Sequence, residues 1–160
     1  MAVICIDPGT SNTGLVYMDE HRIIDAMTIH YDEAVKHDQY KVMFRAFDIV
    51  ERIADWIAPR RHDYIVIEGF LNYSRMQGGY TFQTPYLCGC IHTALANEHF
   101  IIQTSREVLN SHTRRSAVRK GETKAQAIER WGWENSAILG NDHVRSAALH
   151  GIYHYQHKED

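Results

Sequence analysis

Three features of the sequence predict an α/β domain: a mixed five-stranded sheet, made of a three-strand antiparallel meander plus two parallel strands, with helices on both faces. The chain opens on short apolar runs of strand length separated by tight, turn-rich connections. The hydrophobic period then lengthens to three and four residues, and after that strand-like and helix-like segments alternate. The resulting order is β-β-β-α-β-α-β-α, with further helical material at the end. A meander followed by helix-connected strands sets the first and fourth strands side by side and parallel.

Each element has its own signal. Ala2 to Asp7 reads as a central strand, Gly14 to Asp19 as the strand returning from it, and Arg22 to His30 as a third, with Ile23, Ile24, Met27 and Ile29 as its apolar residues. From Asp38 to Ala58, the residues Tyr40, Met43, Phe44, Phe47, Val50, Ile53, Ala54 and Ile57 recur at helical spacing, and Pro59 stops the helix. Tyr64 to Glu68 is a short apolar strand that ends in an acid. Thr84-Pro85 opens a helix toward Asn97, with proline in its first turn. Phe100 to Gln103 is the fifth strand, and Ser105 is read as the cap of a short helix to Leu109. Thr123 and Gln126 have capping-box spacing for a helix through Trp131. Asn141 or Asp142 caps a last helix running toward His157.

A length of 160 residues fits one domain, 1–160, able to bury its own core, and 44% hydrophobic with 23% charged content is ordinary for a globular chain. A formal charge of -3 excludes a strongly basic, non-specific nucleic-acid binder while leaving room for local basic patches. The odd count of three cysteines, with Cys5 inside an apolar strand, suggests free thiols in a reducing compartment. Met1-Ala2 leads straight into the first strand and no apolar run reaches membrane length, so a cytosolic location is expected.

The chemistry starts at the strand ends. Asp7 closes an apolar strand and is followed by Pro8-Gly9 and small polar residues, and Glu68 closes another. Burying an ionised carboxylate costs several kcal/mol unless it has a partner. Either acid alone is explained as a turn or cap residue. At the ends of two adjacent parallel strands they would repel each other unless a cation joined them. Hard oxygen ligands suit Mg²⁺ or Mn²⁺, and two such ions about 3.5–4 Å apart are a recurrent device for phosphodiester cleavage.

"IDPGTSNTG" after an apolar strand, "IVIEGF" after a long helix and an acid-histidine helix start near the C-terminal end resemble the RuvC family of Holliday-junction resolvases, in their smaller phage-type branch. The likeness extends to "RRSAVRKGETKAQAIERW", which is similar to the family's basic loop before a lysine-led helix. The resemblance implies a single nuclease domain of ribonuclease-H-like fold that cuts four-way DNA junctions with Mg²⁺ or Mn²⁺. By position, Asp7 and Glu68 match the family's first two metal ligands.

The third element departs from the family pattern, an acid or histidine, two residues, then aspartate-alanine. In "NDHVRSAALHG", matching Ala147 to that alanine puts His143 first and Ser146 in the aspartate's place. Starting from Asp142 instead puts Arg145 in the partner position. In either register the final carboxylate is missing. The expected set is therefore Asp7, Glu68 and Asp142, with His143 as a ligand, a water-positioning group or an ordinary first-turn helix residue.

Arg114, Arg115, Arg119, Lys120 and Lys124 form a basic cluster, read either as a solvated loop or as a phosphate-contacting face. The loop from Phe70 to Phe82, with Tyr73 and Arg75 among its aromatic and basic residues, offers rings to unpaired bases. His150, His154 and His157 share one helical face, a spacing open to Zn²⁺, and are read as surface histidines; Cys88 and Cys90 are read as small core residues. The expected function is structure-specific cleavage of branched DNA by a homodimer, since two symmetric cuts need two sites. The alternatives are a junction-binding protein that has lost catalysis and, from "DPGTSNTG" alone, an actin- or sugar-kinase-like nucleotide-binding domain.

Overall fold

A computed structural model describes residues 1–33, 38–69, 83–112 and 115–157. Its strands are β1 (Ala2–Asp7), β2 (Asn12–Asp19), β3 (Arg22–His30), β4 (Tyr64–Gly69) and β5 (Phe100–Thr104). Its helices are α1 (Gln39–Ile57), α2 (Gln83–Ala94), α3 (Ser105–Val108), α4 (Lys124–Arg130) and α5 (Asp142–Gln156), with a 3₁₀ turn at Ser136–Ile138 before α5. The strands form one sheet in the order β3-β2-β1-β4-β5. β1, β2 and β3 pair antiparallel, while β1–β4 and β4–β5 pair parallel. This is the mixed sheet that the element order predicts.

Strand alternation divides the core into two layers. Ile4, Ile6, Leu15, Ile65 and Ile67 point to one face, where Ile49 and Ile53 of α1 and Leu87 and Ile91 of α2 cover them. Val3, Cys5, Val16, Met18 and Val66 point to the other, under Ala147, Ala148 and Ile152 of α5 and Ala127 and Ile128 of α4. Continuing the same parity, Asp7 and Glu68 fall on the α5 face.

The caps behave as their chemistry requires. Asp38 accepts the N–H groups of Tyr40 and Lys41 at the start of α1. Thr123 and Gln126 close a capping box on α4. Asn141, rather than Asp142, caps α5 by accepting the Val144 N–H at 3.0 Å. Thr104 caps α3 in a box with Glu107, which displaces Ser105 from the expected cap position into the first turn.

The long helix corrects one reading. Its expected single apolar face divides into a buried stripe of Ala46, Ile49, Ile53 and Ile57 and an exposed one of Tyr40, Phe44 and Phe47.

Candidate active site

The β1–β4 register runs Cys5↔Val66 and Ile6↔Ile67, so Asp7 and Glu68 come next on adjacent strands. The chain leaves Asp7 through a tight turn. A Cβ on Gly9 would lie 2.3 Å from the Asn12 carbonyl oxygen, so only glycine fits there. Thr13 pins the turn by donating its hydroxyl to the Gly9 carbonyl at 2.8 Å.

Helix α5 then comes down on this end of the sheet. It can do so because residue 14 has no side chain: a Cβ on Gly14 would lie 2.4 Å from the His143 carbonyl carbon and 2.6 Å from the Val144 nitrogen. Gly14 is also the register partner of Asp7 on β2. The contact brings His143 to the acids, with its Nδ1 3.2 Å from Asp7 Oδ2.

Asp142 goes elsewhere. Its carboxylate is exposed and accepts from Lys124 Nζ at 2.7 Å, a bond that holds it below the usual carboxylate range. As the first residue after the cap it points along the helix flank toward α4, while His143, one position further round, faces the sheet. The structure thus gathers Asp7, Glu68 and His143 and leaves Asp142 outside that group.

Glu68 has partners that the sequence reading did not assign. Ser105 Oγ donates to Glu68 Oε1, and Ser146 Oγ approaches Oε2 at 3.5 Å. His150 Nε2 lies 3.4 Å from the same Oε2. His150 and His154 are buried rather than on the surface, at 0% and 9% exposure. They lie on the stripe of α5 that packs against the sheet. Ser105 was legible in principle, because a Thr104–Glu107 capping box leaves the next hydroxyl available for another partner.

The electrostatics follow from this crowding. Burial, with the charge of Glu68 added, pushes the Asp7 carboxyl above its usual range against the opposing bond from His143. Burial also pushes Glu68 upward, but His150 and then Asp7 outweigh it and hold Glu68 below its ordinary value. Metal-free, the two carboxylates titrate as a pair, with the proton favouring Asp7. The bond with Asp7 pushes His143 up. Cys88 is held as a neutral thiol, pushed up to about 11 by burial and by the charge of Glu68. It and Cys90 are only partly buried, against the expectation of core positions.

Among the described residues, no group of three or more His, Cys, Asp or Glu forms a ready-made metal cage. The donor chemistry still fits a hard divalent cation. Mg²⁺ is usually held by one or two carboxylates with waters and substrate phosphate, not by an all-protein shell. Asp7 and Glu68 meet that description.

Of the expected DNA-contacting residues, Phe70, Tyr73, Arg75 and Arg114 lie outside the described residues. Arg115, Arg119 and Lys120 are exposed, and Lys124 is tied to the start of α5. The segment bearing them is fastened to α4, where Arg130 grips Glu122 and, with Trp131, the Ala117 carbonyl.

This architecture is the ribonuclease-H-like fold of the junction resolvases. Among solved structures, the chain is similar to Thermus thermophilus RuvC in complex with a Holliday junction substrate, with a TM-score of 0.68, 15% identity, and coverage of 98% of this chain and 95% of that one. It is also similar to the yeast mitochondrial Holliday junction resolvase Ydc2, with a TM-score of 0.66, 13% identity, and coverage of 96% and 78%. No protein-family model matches the sequence, and no curated protein matches it.

Proposed function

We propose that the protein is a divalent-metal-dependent endonuclease that cleaves four-way or other branched DNA by phosphodiester hydrolysis. The observation that carries this reading is the placement of Asp7 and Glu68 on adjacent parallel strands, beneath His143, in a fold shared with a resolvase bound to a Holliday junction. Asp7 and Glu68 would hold Mg²⁺ or Mn²⁺, which would activate water and stabilise the leaving oxygen. His143, bonded to Asp7, orients that carboxylate and offers a proton-handling group at the mouth of the site. Arg115, Arg119 and Lys120, exposed on the segment before α4, present positive charge to the DNA backbone, giving affinity that falls with salt.

A homodimer would place two such sites across a junction. The exposed residues Tyr40, Phe44 and Phe47 of α1, with Tyr86 of α2, form the apolar face that supports this pairing.

The experiment is cleavage of a synthetic four-way junction in Mg²⁺ and in Mn²⁺ by wild type and Asp7→Asn. The expected result is nicking by the wild type and a loss of at least a hundredfold in the variant. Equal cleavage by both would overturn the assignment.

A second reading, a junction-binding protein without catalysis, draws on Ser146 standing in the aspartate's place and on the engagement of Asp142 by Lys124. Tight, salt-sensitive binding with no cutting in either metal would select it.

A further inference from the structure

We infer that His150 is a positioning residue that donates from Nε2–H to Glu68, with Gln103 fixing the other ring nitrogen. The inference rests on the metal-binding reading of Glu68 for its consequence, though the contact itself does not depend on it.

Three adjacent elements supply the parts. Glu68 and Gln103 are register partners on β4 and β5, and His150 descends from α5, one turn beyond Ser146. His150 is fully buried and Gln103 is 7% exposed. His150 Nδ1 lies 3.3 Å from Gln103 Oε1. Its Nε2 has no hydrogen bond of full geometry, and the Glu68 carboxylate oxygen is 3.4 Å away.

Buried polar nitrogens are rarely left without a partner. A carboxylate is an acceptor, so a bare imidazole nitrogen facing it would set lone pair against lone pair. Nε2 must therefore carry the proton. With the Gln103 amide NH₂ turned toward Nδ1, it donates there and the neutral ring carries its proton at Nε2.

One turn further on, His154 sets its ring near those of Tyr64 and Tyr155, at 5.7 and 5.9 Å. His150 meets a polar group at each nitrogen, Gln103 at Nδ1 and Glu68 at Nε2. Being fully buried, it would influence a bound ion only through Glu68. Supporting bonds of this kind typically change metal affinity 10- to 100-fold.

The test measures Mn²⁺ binding by the free-ion electron paramagnetic resonance signal, in wild type, His150→Gln, His150→Leu and Gln103→Leu. Glutamine extends an amide N–H to about the reach of Nε2, whereas leucine keeps only bulk. His150→Leu is expected to bind Mn²⁺ 10- to 100-fold more weakly, Gln103→Leu several-fold more weakly, and His150→Gln within a few-fold of wild type. Leucine binding like wild type, or glutamine failing as badly as leucine, would overturn the proposal.

Should His150→Leu not fold, Gln103→Leu and the ¹⁵N spectrum of wild-type His150 decide. The spectrum is expected to give a protonated Nε2, and a ring protonated at Nδ1 alone would overturn the proposal. If Asp7→Asn binds Mn²⁺ as well as wild type, the metal reading fails, and the ¹⁵N spectrum still judges the contact with Glu68.

Discussion

Asp7 is held where its own charge is unwelcome: its side chain is 13% exposed, and burial together with Glu68 disfavours the ionised form. Metal-free Asp7→Asn should therefore unfold at a higher temperature than wild type at neutral pH. About 1 kcal/mol, or roughly 2–4 °C, is the scale expected when a functional strain is relieved. Calorimetry in EDTA checks this, and a midpoint at or below wild type would mean that Asp7 is not strained. Glu107 and Glu122 have the opposite sign. The Thr104 backbone N–H holds Glu107 below its ordinary 4.5, and the Arg130 guanidinium does the same for Glu122. A carboxylate depressed in the folded state stabilises above its unfolded value, and that contribution disappears as pH falls through the folded value. Urea midpoints should accordingly drop on acidification below about pH 4.5, less steeply in Glu122→Gln. At this scale, Asp7 and Glu68 were legible because a carboxylate ending an apolar run is rare. His150 was not, because a polar residue on a helix reads as solvent-facing until its neighbours across the sheet are known.

At the scale of elements, the site depends on how closely α5 approaches β2. The three nearest atoms to a Gly14 Cβ, all within 2.6 Å, belong to the backbone of His143 and Val144, so no rotamer change can relieve the clash. Gly14→Ala should destabilise by about 1–3 kcal/mol, the usual cost of overpacking, and should lower junction cleavage by displacing His143. Asn141→Ala removes the cap bond to Val144, at a cost of about 1 kcal/mol. Thermal melts and cleavage rates for the two variants separate loss of fold from loss of alignment: Asn141→Ala should lower the midpoint with the smaller effect on cleavage. The strands and caps could be read in advance because they are local matters of alternation and side-chain oxygens. The face of α1 could not. Its aromatic residues fall on two stripes, and periodicity does not say which one the sheet covers.

Across the whole molecule, the mixed sheet and the juxtaposition of the first and fourth strands followed from connection rules, whereas the full strand order came only with the structure. How copies associate is a separate matter. If Tyr40, Phe44 and Phe47 meet a second copy, Phe44→Glu with Phe47→Glu should convert dimer to monomer in sedimentation while the circular dichroism spectrum stays unchanged. A wild type that sediments as a monomer would remove α1 from the interface. The bond between His143 and Asp7 spans 136 positions of chain, and Ser105 reaches Glu68 from β5's far end. Closures across this much chain are slow to form, because the loop entropy is lost before the contact is gained. A chain emerging from the ribosome therefore displays both acids long before α5 exists to complete their surroundings. Until then the two acids lack the neighbours that His143, Ser146 and His150 supply, so the strand ends are set first and their polar surroundings arrive afterwards.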